Sequence, residues 1–203
     1  MQWYLLKTWK GREEELAAKI RRTIPNTRNK ECFVIVKERI WVRQKENIIH
    51  EELLFPGCVF LTCPSSEPIV SQMAGIPAIA GWMRSGSLEI LRMTEEDGNF
   101  LEELSGKDHR VKLSCVLKDE YGNICKFSEP LKYYQEHIER IQFKKRYAMI
   151  RHRLWGEERT FVLGILLKED IHQEYLLDGR LTGKIAAEYS CAKDTKTSLM
   201  EMA

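Results

Sequence analysis

The sequence predicts an α+β protein. A four-stranded antiparallel sheet with packed helices spans residues 1–104, and a small β-barrel follows over residues 111–171. Three observations point there. The longest apolar run, residues 53–63, is broken only by Pro56-Gly57, as a central hairpin or sheet corner buried on both faces requires. The first half alternates strand-like runs with helical periodicity in the order β-α-β-β-α-β-α, the pattern of a layered sheet and helices. From residue 111 the texture changes to short strand-like runs separated by turns, which fits a small barrel.

Residues 2–9, with Trp3, Tyr4, Leu5, Leu6 and Trp9, have the composition of a strand. Gly11 breaks that run, and residues 12–23 read as a helix. Leu16, Ala17, Ile20 and Ile24 share its apolar face, while Arg12, Glu15, Lys19 and Arg22 share the other. Glu15 and Lys19 are spaced as a favourable i,i+4 pair, and Pro25-Asn26 ends the helix. The simplest reading of the polar face is solvated surface. Residues 31–36 read as a buried strand continuing into 40–43, and residues 44–52 as a polar turn. Pro56 donates no backbone hydrogen bond and belongs at the entry of the next strand, and Gly57 admits a close approach of other backbone. Ser65 or Ser66 is a candidate N-cap for a helix with Pro68 in its first turn. Residues 75–83 read as a return strand. Thr94 caps a last helix, with Glu95, Glu96 and Asp97 in its first turn, closing near Leu104. Residues 105–110 form a linker, and everything beyond Leu104 reads as a separate unit. Strands are expected at 111–117, 124–127, 137–143, 147–154 and 160–167, and residues 172–203 read as a disordered tail.

Charged residues make up 31% and hydrophobic residues 43% of the chain, ordinary for a soluble globular protein. No apolar run reaches the roughly 18 residues of a membrane span. The six cysteines (32, 58, 63, 115, 125, 191) form no CxxC, so cysteine used as a small hydrophobe in a reduced cytoplasm is expected. The five histidines make no metal-ligand spacing with them, and no GxxxxGK[ST], HExxH or GxSxG occurs. The sequence therefore reads as a non-enzyme without cofactor or metal, a monomer that does not engage membranes. Charge is uneven. Residues 1–104 hold 14 basic against 15 acidic side chains, residues 105–170 hold 14 against 10, and the tail holds 4 against 5. Lys144-Lys145-Arg146 and Arg151-His152-Arg153 concentrate the excess. A strand would place Arg151 and Arg153 on one face, and Tyr133, Tyr134 and Tyr147 lie near in sequence for stacking. Lys144, Lys145, Arg146, Arg151 and Arg153 are the candidate RNA-binding residues.

Taken together, Trp3-Tyr4-Leu5-Leu6, Lys10-Gly11 opening a helix, Leu54-Phe55-Pro56-Gly57, and Gly75-Ile76-Pro77-Ala78-Ile79-Ala80-Gly81-Trp82 resemble the N-terminal (NGN) domain of NusG-type transcription factors. Ser128-Glu129-Pro130-Leu131 followed by His137-Ile138-Glu139-Arg140-Ile141 resembles the SH3-like KOW module of that family. The resemblance covers residues 2 to about 170. It implies a transcription elongation, processivity or antitermination factor that docks the clamp helices of bacterial RNA polymerase and touches non-template DNA. It places Trp9, Phe55 and Cys58 at the polymerase contact, with Cys58 standing where the family carries an aromatic. It places Lys10, Lys19 and Arg22 at positions that face DNA in a specialised branch. The module's two signature glycines are Glu129 and Glu136 here, so its loop must differ in backbone. Leu154-Trp155-Gly156-Glu157 keeps the family's apolar pair but has an acid for its arginine, which argues against the family's ribosomal-protein contact. A diverged basic module resembles the specialised LoaP- or RfaH-like paralogues, which act on selected operons and can recognise an RNA hairpin. The alternative is a ribosome-associated RNA-binding KOW protein.

Removing residues 180–203 is expected to leave the melting temperature and polymerase binding unchanged. A fall of several degrees would show instead that Leu176, Leu177, Leu181 and Ile185 dock on the body.

Overall fold

The computed structural model describes residues 1–24, 27, 30–43, 46–64, 68–167 and 170. The candidate cap at Ser65 or Ser66, the helix stop at Pro25-Asn26 and the expected tail disorder lie outside them. No described helix is long and apolar enough to cross a membrane.

The first sheet contains β1 (Gln2–Lys7), β2 (Glu31–Phe33), β5 (Cys58–Cys63) and β6 (Glu89–Arg92) in the order β2-β5-β1-β6, antiparallel throughout. Its two central strands are buried on both faces, which is why they read as unbroken apolar runs. On one face Leu6, Cys32, Val59, Leu61 and Cys63 pack against α1 (Glu13–Thr23), α2 (Ile69–Ala74) and α3 (Pro77–Arg84). The alternate residues Trp3, Leu5, Phe33 and Phe60 face the other way, beneath Phe100, Leu101 and Leu104 of α4 (Glu95–Ser105). There the rings pack edge-on, Trp3 to Phe33 at 5.5 Å and Trp3 to Phe60 at 6.3 Å, the geometry that ring quadrupoles favour. Thr94 caps α4 as expected, its Oγ1 accepting from the Asp97 N–H at 3.1 Å.

Two first-half expectations are corrected. Residues 75–83 are not a strand: Pro77 opens α3, and α2 precedes it across Gly75. Proline at the first helical position has its ring pre-set and no N–H to leave unpaired, and Ile76, Ile79, Trp82 and Met83 recur at helical spacing toward one cluster. The turn expected at residues 44–52 is, over its described residues 46–52, strand. They belong to β4 (Glu46–Leu53), which pairs with β3 (Val36–Arg43), with Ile49, Glu51 and Leu53 on one face and Ile48, His50 and Glu52 on the other. The apolar run 53–63 is therefore a corner between two sheets, because β4 pairs with β3 while β5 pairs with β1 and β2.

The second half is a curled five-stranded sheet in the order β10-β11-β12-β8-β9, the small barrel expected. Its strands are β8 (Ser114–Lys118), β9 (Ile124–Phe127), β10 (Ile138–Gln142), β11 (Tyr147–Leu154) and β12 (Glu157–Leu167), with β12 parallel to β8. A short β7 (Arg110–Val111) joins β3 instead. Glu129 and Glu136 do not adopt the left-handed backbone their glycine counterparts would allow; residues 131–137 run as 3-10 helix after a cis peptide at Pro130.

The parts on either side of residues 105–110 pack against each other. One apolar cluster runs from Trp3, Phe33 and Phe60 through Phe55 and Phe100 to Ala148, Ile150, Phe161 and Leu163 of the barrel. Behind it, β3 crosses β12. The Glu38 carboxylate, 7% exposed, accepts from the Leu113 N–H at 3.1 Å. A Cβ on Gly164 would stand 2.4 Å from the Glu38 carbonyl oxygen and 2.4 Å from Leu113 Cδ2.

Because a backbone oxygen cannot swing aside, Gly164→Ala is expected to destabilise the whole chain by about 1–3 kcal/mol. Denaturant unfolding followed by tryptophan fluorescence reads this. An unchanged midpoint would mean that β3 and β12 do not pack against each other.

Candidate partner-binding surfaces

The Pro56-Gly57 corner brings together the three residues assigned to the polymerase. Gly57 has φ +87, and a Cβ there would sit 3.0 Å from the Thr8 carbonyl oxygen, so only glycine fits without strain. Its carbonyl accepts from Thr8 N–H at 2.8 Å, and its own N–H donates to Glu13 Oε1 at 2.5 Å. Glu13 is 3% exposed, so the first turn of α1 holds the corner with a buried, charge-assisted bond. Losing that acceptor would strand a buried N–H, at a cost of about 1–3 kcal/mol.

Around this corner Trp9 stands 66% exposed. Phe55 is only 9% exposed; it packs on Phe60 at 5.6 Å, on Trp155 at 5.3 Å and on Phe161 at 5.8 Å. Cys58 is half-buried against the same cluster, and burial pushes its thiol up to about 11, a neutral, unreactive group. Trp9 is thus open, whereas Phe55 lies under the barrel. The sequence suggests a partly exposed ring at Phe55; the ring is in the core.

The residues that cover this face were missed as a group. The Trp155 N–H, on a residue with φ +56, donates to Asp97 Oδ1 at 3.1 Å, and Arg159 lies 4.7 Å from the Trp155 ring. His152 stacks on Phe100 with centroids 3.9 Å apart, and Tyr134 Oη donates to Glu103 Oε2 at 2.8 Å. Burial, together with that bond, raises the Tyr134 hydroxyl far above its ordinary range. The apolar pair Leu154-Trp155 was the available signal.

Of the candidate DNA residues, Lys10 and Arg22 are exposed. Lys19 is engaged: its Nζ lies 2.5 Å from Glu15 and 4.2 Å from the centroid of Trp82. The Lys19 hydrogen bond is the main reason the Glu15 carboxyl lies below its ordinary range. Arg12 shares the same indole at 5.1 Å.

The candidate RNA residues divide. Lys144 and Lys145 are exposed in the 3-10 turn Phe143–Lys145 between β10 and β11. Arg151 and Arg153 lie on the outer face of β11, as alternation requires, with Ala148, Ile150 and Leu154 inward. Arg151 pairs with Glu139. Arg146 is not available to a polyanion. It takes a left-handed backbone, φ +51, and binds Asp170 with two bonds, 2.6 Å from Nε and 2.8 Å from Nη2. Asp170 is 2% exposed and also accepts from the Leu167 N–H. This bidentate pair ties the turn between β10 and β11 to the end of β12, and a basic triplet in sequence conceals the fact that its third member turns inward.

Residues 1–101 match the family model described as "Transcription termination factor nusG". No curated protein matches the chain. A solved structure from Thermotoga maritima, titled "Domain interaction in Thermotoga maritima NusG", is 13% identical, with 80% of this chain and 93% of that chain covered and a TM-score of 0.35.

Protonation should loosen the covering contact. Burial is the main cause holding His152 below the ordinary histidine value, followed by His137 at 5.7 Å between rings; Glu96 and Asp97 of α4 and Glu158 of β12 oppose this. A base whose folded pKa is depressed binds more protons unfolded than folded, so stability rises with pH and is lost as pH falls below about 6.5. His152→Gln is expected to weaken that acid sensitivity, measured as the slope of melting temperature against pH between about 7 and 5. An identical slope in the variant would remove His152 from the contact's titration.

Proposed function

Because residues 1–101 match the NusG family model, we propose that this chain is a NusG-family transcription elongation factor of the antitermination kind. On this reading it rides on RNA polymerase through the corner that carries Trp9, Phe55 and Cys58, as a specialised LoaP- or RfaH-like member acting on selected operons. The observation that carries the reading is Trp9. It is a large aromatic, 66% exposed, fixed beside a corner that Gly57 and Glu13 hold rigid. Such a ring offers a large apolar contact at low entropic cost. Clamp-helix docking at Phe55 requires that Trp155 and Phe161 withdraw first, since they cover its ring. The closed arrangement is therefore the resting form, and polymerase competes with the barrel for one face.

On the same reading the exposed Lys10 and Arg22 contact non-template DNA, and Lys144, Lys145, Arg151 and Arg153 supply the RNA contact, with Arg146 as internal support. The protein works in the cytoplasm as a non-enzymatic factor. Lys10 neighbours Trp9 in the chain, which supports a polymerase role over the ribosome-associated alternative, because that role gives the exposed ring and its basic neighbour a joint partner.

Trp9→Ala removes the exposed ring without touching the core. It is expected to leave the melting temperature unchanged and to weaken binding to core RNA polymerase by more than about 1 kcal/mol. Biolayer interferometry with purified core enzyme measures this. Equal affinity of the variant and wild type, or co-purification with ribosomal subunits in place of polymerase, would defeat the reading.

A further inference from the structure

Trp41 is 61% exposed on β3, and Ile48, 42% exposed, stands directly opposite on β4. A tryptophan so placed contributes little to the core, and its surroundings show which chemistry would cover it. Glu38 and Ile40 are buried on one face of β3, so Lys37, Arg39 and Trp41 share the other, where Trp41 is open and the Lys37 and Arg39 side chains are only 12% and 18% exposed. His50 props the indole from one side, with ring centroids 3.9 Å apart. Arg39, two residues or roughly 7 Å along the strand, places its guanidinium 5.4 Å from the Tyr147 ring of β11. Lys37 and Arg39 share a single carboxylate, Glu52, at 3.3 Å each, which leaves one positive charge in excess.

The surface continues across the junction between the two halves. β3 abuts the 3-10 turn that follows β10. Lys144 and Lys145 are exposed there, with no ion pair among the described residues, and Lys118 Nζ lies 3.6 Å from the centroid of Phe143 at the base of the same turn. An open ring thus stands at one end and three cations at the other, with the Arg39–Tyr147 pair between them.

We propose that this surface binds a single-stranded segment of RNA. One base stacks on Trp41, and the sugar–phosphate backbone runs past Arg39 and Tyr147 to Lys144, Lys145 and Lys118. The inference rests on the RNA-binding part of the proposed function and extends it from the barrel turn to the β3–β4 hairpin. A stacking ring beside a track of cations is how unpaired nucleic acid is held. A duplex keeps its base faces stacked on one another and cannot use the ring. Presentation of aromatic rings from a sheet to unstacked bases is a common mode of single-stranded RNA recognition. An apolar protein partner would match Trp41 and Ile48 but leave the lysines without counter-charge.

The test uses the intact chain and a short, unstructured, uridine-rich fluorescent RNA, titrated by anisotropy at several salt concentrations. Trp41→Ala is expected to weaken binding about 5- to 100-fold at every salt concentration, since the lost stacking carries no charge. Trp41→Phe should retain most of the affinity, and the exposed site leaves both melting temperatures unmoved. The double variant Lys144→Ala, Lys145→Ala should lower the slope of log K against log salt by about 1.4, or about 0.7 for each phosphate no longer neutralised. If Trp41→Ala binds as wild type while the lysine variant weakens, the hairpin is excluded and RNA binding by the turn alone survives. If neither variant alters affinity, RNA binding itself is overturned. Equal affinity for single-stranded DNA of the same sequence would overturn the choice of RNA. Loss of core-polymerase affinity in Trp41→Ala with RNA binding intact would show a protein contact instead.

Discussion

The aromatic face formed by Trp3, Phe33, Phe55, Phe60 and Phe100 is the constraint around which the chain is arranged. Helices α1, α2 and α3 cover the opposite side of the first sheet, and α4 covers only part of this one. Leaving a large apolar side chain in water forgoes about 1.5–3 kcal/mol, so a face of five rings needs a lid. β11 and β12 provide it with Ala148, Ile150, Phe161 and Leu163. Polar contacts at the rim then fix the orientation: Trp155 N–H on Asp97, Tyr134 on Glu103, and the His152 ring on Phe100. The apolar term supplies the attraction, and the directional bonds select one register.

A tethered lid acts at an effective concentration in the millimolar range when the linker is short. A partner for the same face must exceed that local competition or reach the rings while the lid is open. Trp9 lies outside the covered area, so it is available for a first contact while Phe55 is still covered. Under the proposed function, graded access of this kind would combine encounter with selectivity, because full engagement would require the rim bonds to break together.

Much of this was legible in the sequence, and the failures have physical causes. The both-face burial of β1 and β5 shows as unbroken apolar runs, the Thr94 cap follows from its side chain and the acids after it, and strands 124–127 and 147–154 show in alternation and flanking turns. Residues 75–83 misled because a short run dense in apolar residues was read as a buried strand, although Ile76, Ile79, Trp82 and Met83 recur at helical spacing and pack into one cluster. Residues 44–52 misled because β4 has a solvated face on which Glu52 pairs with Lys37 and Arg39; polar content there marks an outer face of a strand. Arg146 was counted among the RNA contacts because its partner, Asp170, lies 24 residues away, beyond any local pattern. The burial of Phe55 was illegible for the same reason, since its cover arrives from residues 155 and 161.

The pairing of β12 with β8 sets a schedule for the chain as it is made. The first sheet and α4 are complete by Ser105, yet Phe161, which lies over Phe55, is synthesised roughly 60 residues later. At about 5–20 residues per second, that interval is roughly 3–12 s. Throughout it the ribosome holds a finished N-terminal half whose rings have no cover, and the parallel strand that completes the barrel cannot yet form. The newborn chain thus passes once through an uncovered form that the folded protein could regain only by breaking contacts, and any partner present at the site of synthesis meets that form first.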